Sequence, residues 1–232
     1  MSYIVLNGEN SSNITGLLIQ TLPPITLPQI RTTVESVDGR DGDIITKLGY
    51  AAYDKTFSIG LHGNYNIDEV IEYFASEGTV TFSNEPDKYY RFQRLQQIDF
   101  AKLLRFKTAN VSLHCQPFKF KVDEEPIEST GSSETVTNSG NVYAKPIITV
   151  TGTGTVGLYI DSVQILSIDM GDSSNTIIID IDAMNAYDET GTFKNRSVTG
   201  DYSNFILPVG NSTVSWSGTV SGVKIEKYSR WL

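Results

Sequence analysis

Residues 31–50 read RTTVESVDGRDGDIITKLGY, and the fold class of the chain is most legible here. Arg31–Val37 alternates in the manner of a strand. Two Asp-Gly pairs, Asp38-Gly39 and Asp41-Gly42, then reverse the chain before Ile44–Leu48 resumes it. Asp-Gly supplies the positive-φ positions of a tight β reversal at little steric cost. Arg40 lies between the two turns, at the apex of the expected hairpin.

The same strand character recurs outward from this hairpin. On its N-terminal side it marks Tyr3–Leu6 and Leu17–Gln20; on its C-terminal side it marks Lys55–Leu61, Thr79–Phe82, Tyr89–Leu95 and Phe106–Cys115. One helix is expected, over about residues 67–77. Ile67, Val70, Ile71 and Phe74 fall at i, i+3, i+4 and i+7, a single apolar stripe. Asn66 suits its N-cap with Glu69 as capping-box partner, and Gly78 suits its end. Such a helix packs across a sheet.

After Phe120 the composition changes. Residues 121–142 begin with Asp123-Glu124-Glu125-Pro126 and continue with Ser, Thr, Gly and Asn, with very few apolar side chains. Such a stretch buries too little surface to offset its ordering entropy and reads as a linker. Beyond it, Pro146–Thr151, Val156–Ile160, Gln164–Ile168, Thr176–Asp182, Phe205–Leu207, Thr213–Ser217 and Gly222–Tyr228 read as strands with no helix between them, the pattern of an antiparallel sandwich. The expectation is a mainly β protein with two β-rich domains: a sandwich- or barrel-like domain over 1–120 with one packed helix, a linker over 121–142, and a β-sandwich over 143–232.

The totals exclude several classes. At 232 residues the chain can bury a substantial core. It has no apolar run of about 18 residues, so no spanning helix is expected. Met1–Asn7 lacks the basic start and long apolar core of a secretory signal, which points to synthesis in a cytoplasm. A single cysteine, Cys115, rules out a disulfide within the chain. The net charge of −9 is uneven: residues 1–120 carry 11 Lys and Arg against 13 Asp and Glu, and residues 121–232 carry 7 against 14. An acidic surface opposes nonspecific adhesion to nucleic acid.

Several groups of side chains have the residue types of a site and also fit plainer roles. Lys88, Arg91, Arg94, Lys102, Arg105 and Lys107 interleave with Tyr89, Tyr90, Phe92, Phe100 and Phe106, types that phosphate contact and base stacking use. Alternation sets Arg91 and Arg94 on opposite faces, which favours subunit or partner contacts, for which the planar guanidinium is suited. Asp180 and Asp182 sit opposite Ile177, Ile179 and Ile181, on a wetted face rather than in a carboxylate pair of glycosidase type. Trp216 shares a face with Val214 and reads as core, although Trp216, Tyr202, Tyr228 and Trp231 are also the types that stack on sugars. Cys115 shares a face with Ala109, Val111 and Leu113, so it is a buried thiol turned away from His114. Gly152-Thr153-Gly154-Thr155 lacks the Lys-Ser/Thr and helix of a phosphate loop. No catalytic constellation, metal site or cofactor site is expected.

Several further fragments accompany the hairpin: Ile14-Thr15-Gly16-Leu17, Leu22-Pro23-Pro24, Gly49-Tyr50, Phe82-Ser83-Asn84-Glu85-Pro86, Gln116-Pro117-Phe118-Lys119, Ile179-Asp180, Ala186-Tyr187 and Trp216-Ser217-Gly218. In this order and spacing they resemble the distal tail proteins of long-tailed phages that infect Gram-positive bacteria. The resemblance implies a virion structural protein without enzymatic activity, assembled in the bacterial cytoplasm. It implies a homo-hexameric ring at the tip of a non-contractile tail, with the tail tube protein on one side and a tail-associated tip protein on the other. DNA then passes through the ring without specific binding, and no membrane insertion is involved. The second domain is galectin-like in relatives and holds baseplate or receptor-binding proteins, although 143–232 leaves no room for the long arm some relatives insert there. Gly39, Arg40, Asp41, Gly42, Arg91 and Arg94 are the residues expected at subunit or partner contacts. The alternatives are a carbohydrate-binding module of the virion, contacting host cell-wall glycan, and a glycan or peptidoglycan hydrolase.

Overall fold

A computed structural model describes residues 2–232. The chain divides into two compact units, one covering residues up to Val122 and the other Asp123–Trp231. Both are mainly β.

The first unit contains strands β1 (Ile4–Leu6), β2 (Glu9–Asn10), β3 (Leu17–Ile19), β4 (Ile30–Ser36), β5 (Asp43–Tyr50), β6 (Tyr53–Leu61), β7 (Gly78–Phe82), β8 (Lys88–Gln93) and β9 (Thr108–Lys121). Helix α1 (Ile67–Tyr73) precedes β7, and helix α2 (Phe100–Phe106) precedes β9. Seven strands of this unit pair in one antiparallel sheet in the order β2-β1-β7-β8-β9-β6-β3, whereas β4 and β5 pair only with each other. Alternation along β6 and β9 turns Phe57, Ile59, Ala109, Val111, Leu113 and Cys115 into one core with Ile4, Phe82 and Tyr90. Edge-to-face ring contacts at 5.9 Å join Phe57 to Phe82 and Phe82 to Tyr90.

Two expectations about helices are corrected. The first helix ends at Tyr73 rather than near residue 77, and Tyr73 takes the buried place expected of Ile71, which is exposed. The Tyr73 hydroxyl donates to the carbonyls of Ile4 (3.1 Å) and Glu9 (3.2 Å), so the ring can be buried with its polar end satisfied. The Asn66 cap holds as expected, its Oδ1 accepting from the Asp68 amide at 3.1 Å. Second, the first unit has two helices, not one. Asp99 caps α2 through the Lys102 amide at 2.8 Å, and Leu103 is the single fully buried residue that ties this short helix to the core.

The second unit contains β10 (Ile127–Ser129), β11 (Ser133–Asn138), β12 (Ile147–Ile160), β13 (Val163–Asp169), β14 (Asn175–Asp180), β15 (Asn185–Tyr187), β16 (Val198–Gly200) and β17 (Gly210–Glu226). All the pairings are antiparallel. The long β12 and β17 pair along their length. β14 and β13 add to the two ends of β12, and β10 and β11 add to the two ends of β17. Splitting the neighbours this way curls one sheet over a core that includes Ile148, Val150, Leu158, Ile168, Ile179, Phe205 and Trp216.

Two differences from the sequence reading stand out here. The stretch 121–142, read as a linker, carries β10 and β11. Also, the segments read as strand pairs on either side of Gly152–Thr155 and Gly218–Ser221 are single bent strands. The register shifts between Thr153 and Gly157, and Gly218 lies at φ +98, where a Cβ would meet the Thr155 carbonyl.

Candidate functional site

The β4–β5 hairpin is set apart from both sheets. Its register runs from Ile30 opposite Tyr50 to Ser36 opposite Asp43, with one irregularity between Arg31 and Thr32. Gly39 (φ +82) and Gly42 (φ +79) take the positive-φ places the Asp-Gly pairs predicted, and the Arg40 amide donates to the Val37 carbonyl at 3.1 Å. A Cβ at either glycine would meet nothing, so only backbone conformation demands glycine at these points.

Every residue of β4 is exposed, and in β5 only Ile44, Gly49 and Tyr50 are partly covered. Val34 (57% exposed) lies opposite Ile45 (63%), and Val37 and Leu48 are exposed as well. A two-stranded ribbon with neither face covered is marginally stable in water, and exposed valine and isoleucine forgo about 1.5–3 kcal/mol each relative to burial. Among the described residues, none covers either face of the arm.

Its root is held firmly. Pro23 and Pro28 are buried. The Asn84 side chain donates to the Pro23 carbonyl (3.0 Å) and Lys55 Nζ donates to the Pro24 carbonyl (2.9 Å). The Ala51 amide donates to Gln29 (2.8 Å), and the Tyr50 ring meets Phe118 edge-on at 5.6 Å.

Lys55 is 2% exposed, with its ammonium 5.0 Å from the ring centroids of both Tyr53 and Tyr90. Beside it, Glu85 accepts from Lys119 Nζ (2.8 Å) and from the Tyr90 hydroxyl (2.7 Å). Burial alone would raise the Glu85 carboxyl, but hydrogen bonds from Lys119 and Tyr90 outweigh it and hold the group below its ordinary range. Burial pushes the Lys55 ammonium down, opposed by the Glu85 charge. The fragments Leu22-Pro23-Pro24 and Phe82–Pro86 are thus two halves of one clamp. Sequence reasoning missed Lys55, although a lysine in step with the apolar positions Phe57, Ile59 and Leu61 marks a buried charge.

The residues expected at contacts fall in two places. Gly39, Arg40, Asp41 and Gly42 form the exposed arm tip. Arg91 lies in β8 with its guanidinium 4.5 Å from the centre of the Phe120 ring, and Arg94 is exposed just beyond that strand. The structure does not bring these arginines to the tip.

The other candidates take their plainer roles. Trp216 is buried and its indole N–H donates to the Gly131 carbonyl at 2.9 Å, so it offers no stacking platform. Cys115 is fully buried and its thiol is pushed up to about 12 by desolvation, while His114 pairs on the other face with Asp54 at 2.8 Å. Asp182 is exposed and pairs with Lys145 at 3.1 Å, and Asp180 Oδ1 accepts from the Ala183 amide. Among the described residues no three His, Cys, Asp or Glu are grouped to hold a metal, and no helix is long and apolar enough to cross a membrane.

No family model matches the chain, and no curated protein matches it by sequence. Among solved structures it is similar to the Dit protein (gp 19.1) of SPP1, described as a paradigm of the hub adsorption apparatus in phages infecting Gram-positive bacteria. The TM-score is 0.64 at 16% identity, over 98% of this chain and 99% of that one. At this identity the likeness establishes the fold. The likeness runs end to end through both units.

Proposed function

We propose that this chain is a structural subunit of a phage virion. Six copies close into a ring at the distal end of a long non-contractile tail, join the tail tube to the tip proteins, and leave a central channel for DNA. The observation that carries this reading is the end-to-end fold likeness to a phage hub protein, in a chain whose ordered fragments resemble the same family.

Physical features support it. A cyclic assembly needs two unlike, complementary patches on each subunit, meeting head to tail until the ring closes. The arm is one such patch: it projects apolar side chains into solvent from a clamped root. The second unit, galectin-like by analogy with the family, faces outward toward baseplate or receptor-binding proteins. The work of the protein is done by shape, and no bond-making step is assigned to it. The channel lining is polar and not net basic, so that DNA slides without being held. In this reading the protein is assembled in the host bacterial cytoplasm and ends at the tail tip.

The test is the mass of the purified protein by light scattering, with electron microscopy of the protein alone and mixed with its tail tube partner. A six-membered ring is the expected particle. A protein that stays monomeric at all concentrations, with and without the tube, overturns the proposal.

A further inference from the structure

If the arm is one half of a head-to-tail contact, the other half must lie on the same chain, and the exposed surface narrows where. This inference rests on the ring reading given above. We infer that the arm of one copy seats on the outer face of α2 and the turn before it on the next copy.

The arm sets the requirements. Its distal part presents Val34, Val37 and Ile45 together with Glu35, Asp38, Asp41 and Asp43, against Arg40 alone. The acceptor must therefore be apolar and basic. In the first unit, outside the arm and the segment leading to it, the exposed large apolar residues are Ile71, Leu95, Leu104 and Phe106. Three of these four lie between residues 94 and 107, beside Arg94, Lys102, Arg105 and Lys107. The one carboxylate in that stretch, Asp99, is engaged in capping α2. A tip of net −3 over residues 35–43 thus faces a strip of net +3 over residues 94–107. The second unit also exposes apolar side chains, such as Val163, Phe193 and Val209, but residues 121–232 carry 7 cations against 14 anions and would repel the tip.

The local geometry suits a docking face. Leu103 is buried beneath α2, which leaves Ala101, Lys102, Leu104, Arg105 and Phe106 to face outward or flank the helix. The Arg105 guanidinium lies 5.0 Å from the Phe106 ring centre, and Lys107 Nζ donates to the Tyr65 hydroxyl at 2.6 Å, so two of the cations are already oriented. Among the described residues none of Arg94, Lys102 and Arg105 is paired with a carboxylate. Seven helical residues span roughly 10 Å, about the length of three strand residues, which matches the distal part of the arm rather than its whole length.

Two variants with one added cysteine each test this, because the native Cys115 is buried and its thiol is out of reach. Val34→Cys and Leu104→Cys proteins are mixed under mild oxidation and resolved on a non-reducing gel. The expected product is a dimer of one of each, absent when either variant is oxidised alone. Lys102→Glu with Arg105→Glu in the acceptor copy should lower its yield about tenfold, and Asp41→Lys with Asp43→Lys in the arm copy should restore it. No mixed dimer, or a mixed dimer indifferent to these charges, overturns the inference. So does a chain carrying both cysteines that closes only on itself. A ring seen by microscopy without the mixed dimer defeats this docking surface and leaves the ring reading standing. A monomer under all conditions defeats both.

Discussion

Val34 and Ile45 face each other across β4 and β5 just as Leu158 and Trp216 do across β12 and β17. Both are apolar cross-strand pairs in antiparallel ladders, yet Leu158 and Trp216 are buried while Val34 and Ile45 are more than half exposed. The sequence pattern is the same because alternation specifies which side chains share a face, not what lies against that face. In the second unit the curled sheet supplies its own opposite layer. In the arm nothing among the described residues does, and under the ring reading the missing layer belongs to another copy.

The largest effect should come from cutting the covered pair. Trp216→Ala is expected to cost about 3–5 kcal/mol, chiefly from the cavity it leaves in the core. Ile45→Ala in the arm should change stability by no more than about 0.5 kcal/mol while lowering ring formation. Denaturant unfolding measures the first quantity and light scattering the second. Equal losses of stability in the two variants would mean that the arm is packed in the free subunit after all.

Next in size is the clamp that keeps the uncovered pair in place. Glu85→Gln leaves Lys119 and the neighbouring Lys55 buried without their counter-charge, at a cost on the order of 3 kcal/mol. The pH dependence follows from the Glu85 carboxyl being held below its ordinary value of 4.5. A depressed carboxylate contributes stability that is complete above that value and is lost as pH falls through the lower folded-state value. Acid titration of unfolding should therefore show a descending limb below about pH 4.5 that is shallower in Glu85→Gln. Hydrogen exchange at residues 22–29 should rise in the variant before the rest of the unit opens; uniform acceleration would make Glu85 a general stabiliser and not a clamp.

The arm itself was legible in the sequence because Asp-Gly pairs report local backbone conformation, and local conformation is what a single sequence encodes best. Gly39 and Gly42 at φ +82 and +79 repay that reading. The stretch 121–142 was illegible for the opposite reason. In β11 only Val136 and Asn138 are buried, so apolar content gives no sign of order, and the strand is held by a backbone ladder to Asn211–Ser215 some 75 residues further on. Helix α2 escaped notice because one buried leucine in seven residues leaves no stripe. The candidate site was half legible. The tip was marked by its turns, but the clamp required knowing that Lys55 meets Pro24 and that Asn84 meets Pro23, which are tertiary facts.

A smaller effect separates two kinds of glycine. Gly42→Ala meets no neighbouring atom and should cost about 1 kcal/mol of hairpin stability through its positive φ alone. Because the arm carries little of the unit's stability, this loss should appear as weaker assembly and not as a lower unfolding temperature. In Gly218→Ala the new Cβ would meet the Thr155 carbonyl inside the second unit, so the whole unit should melt earlier. If Gly42→Ala lowers the melting temperature as much as Gly218→Ala does, the arm and the body unfold as one.

The smallest effect on the isolated subunit should come from Arg40→Ala. Arg40 is exposed, and its side chain makes no ion pair among the described residues. Removing it should therefore leave the melting temperature unchanged, within the roughly 0.5 kcal/mol typical of surface substitutions. It also removes the only cation from a tip with four carboxylates and so makes the arm end more acidic. Were that end only required to meet a basic surface, Arg40→Ala would assemble as well as the native protein or better. A guanidinium placed between two positive-φ glycines is suited also to insert between groups on a partner, donating from its fork to a carboxylate or carbonyl oxygen. Assembly should then weaken in Arg40→Ala and recover only partly in Arg40→Lys, because an ammonium keeps the charge but loses the fork. Unimpaired ring formation and tail joining by Arg40→Ala would reduce Arg40 to a solvated turn residue and leave the acidic and apolar side chains of the arm as its only working surface.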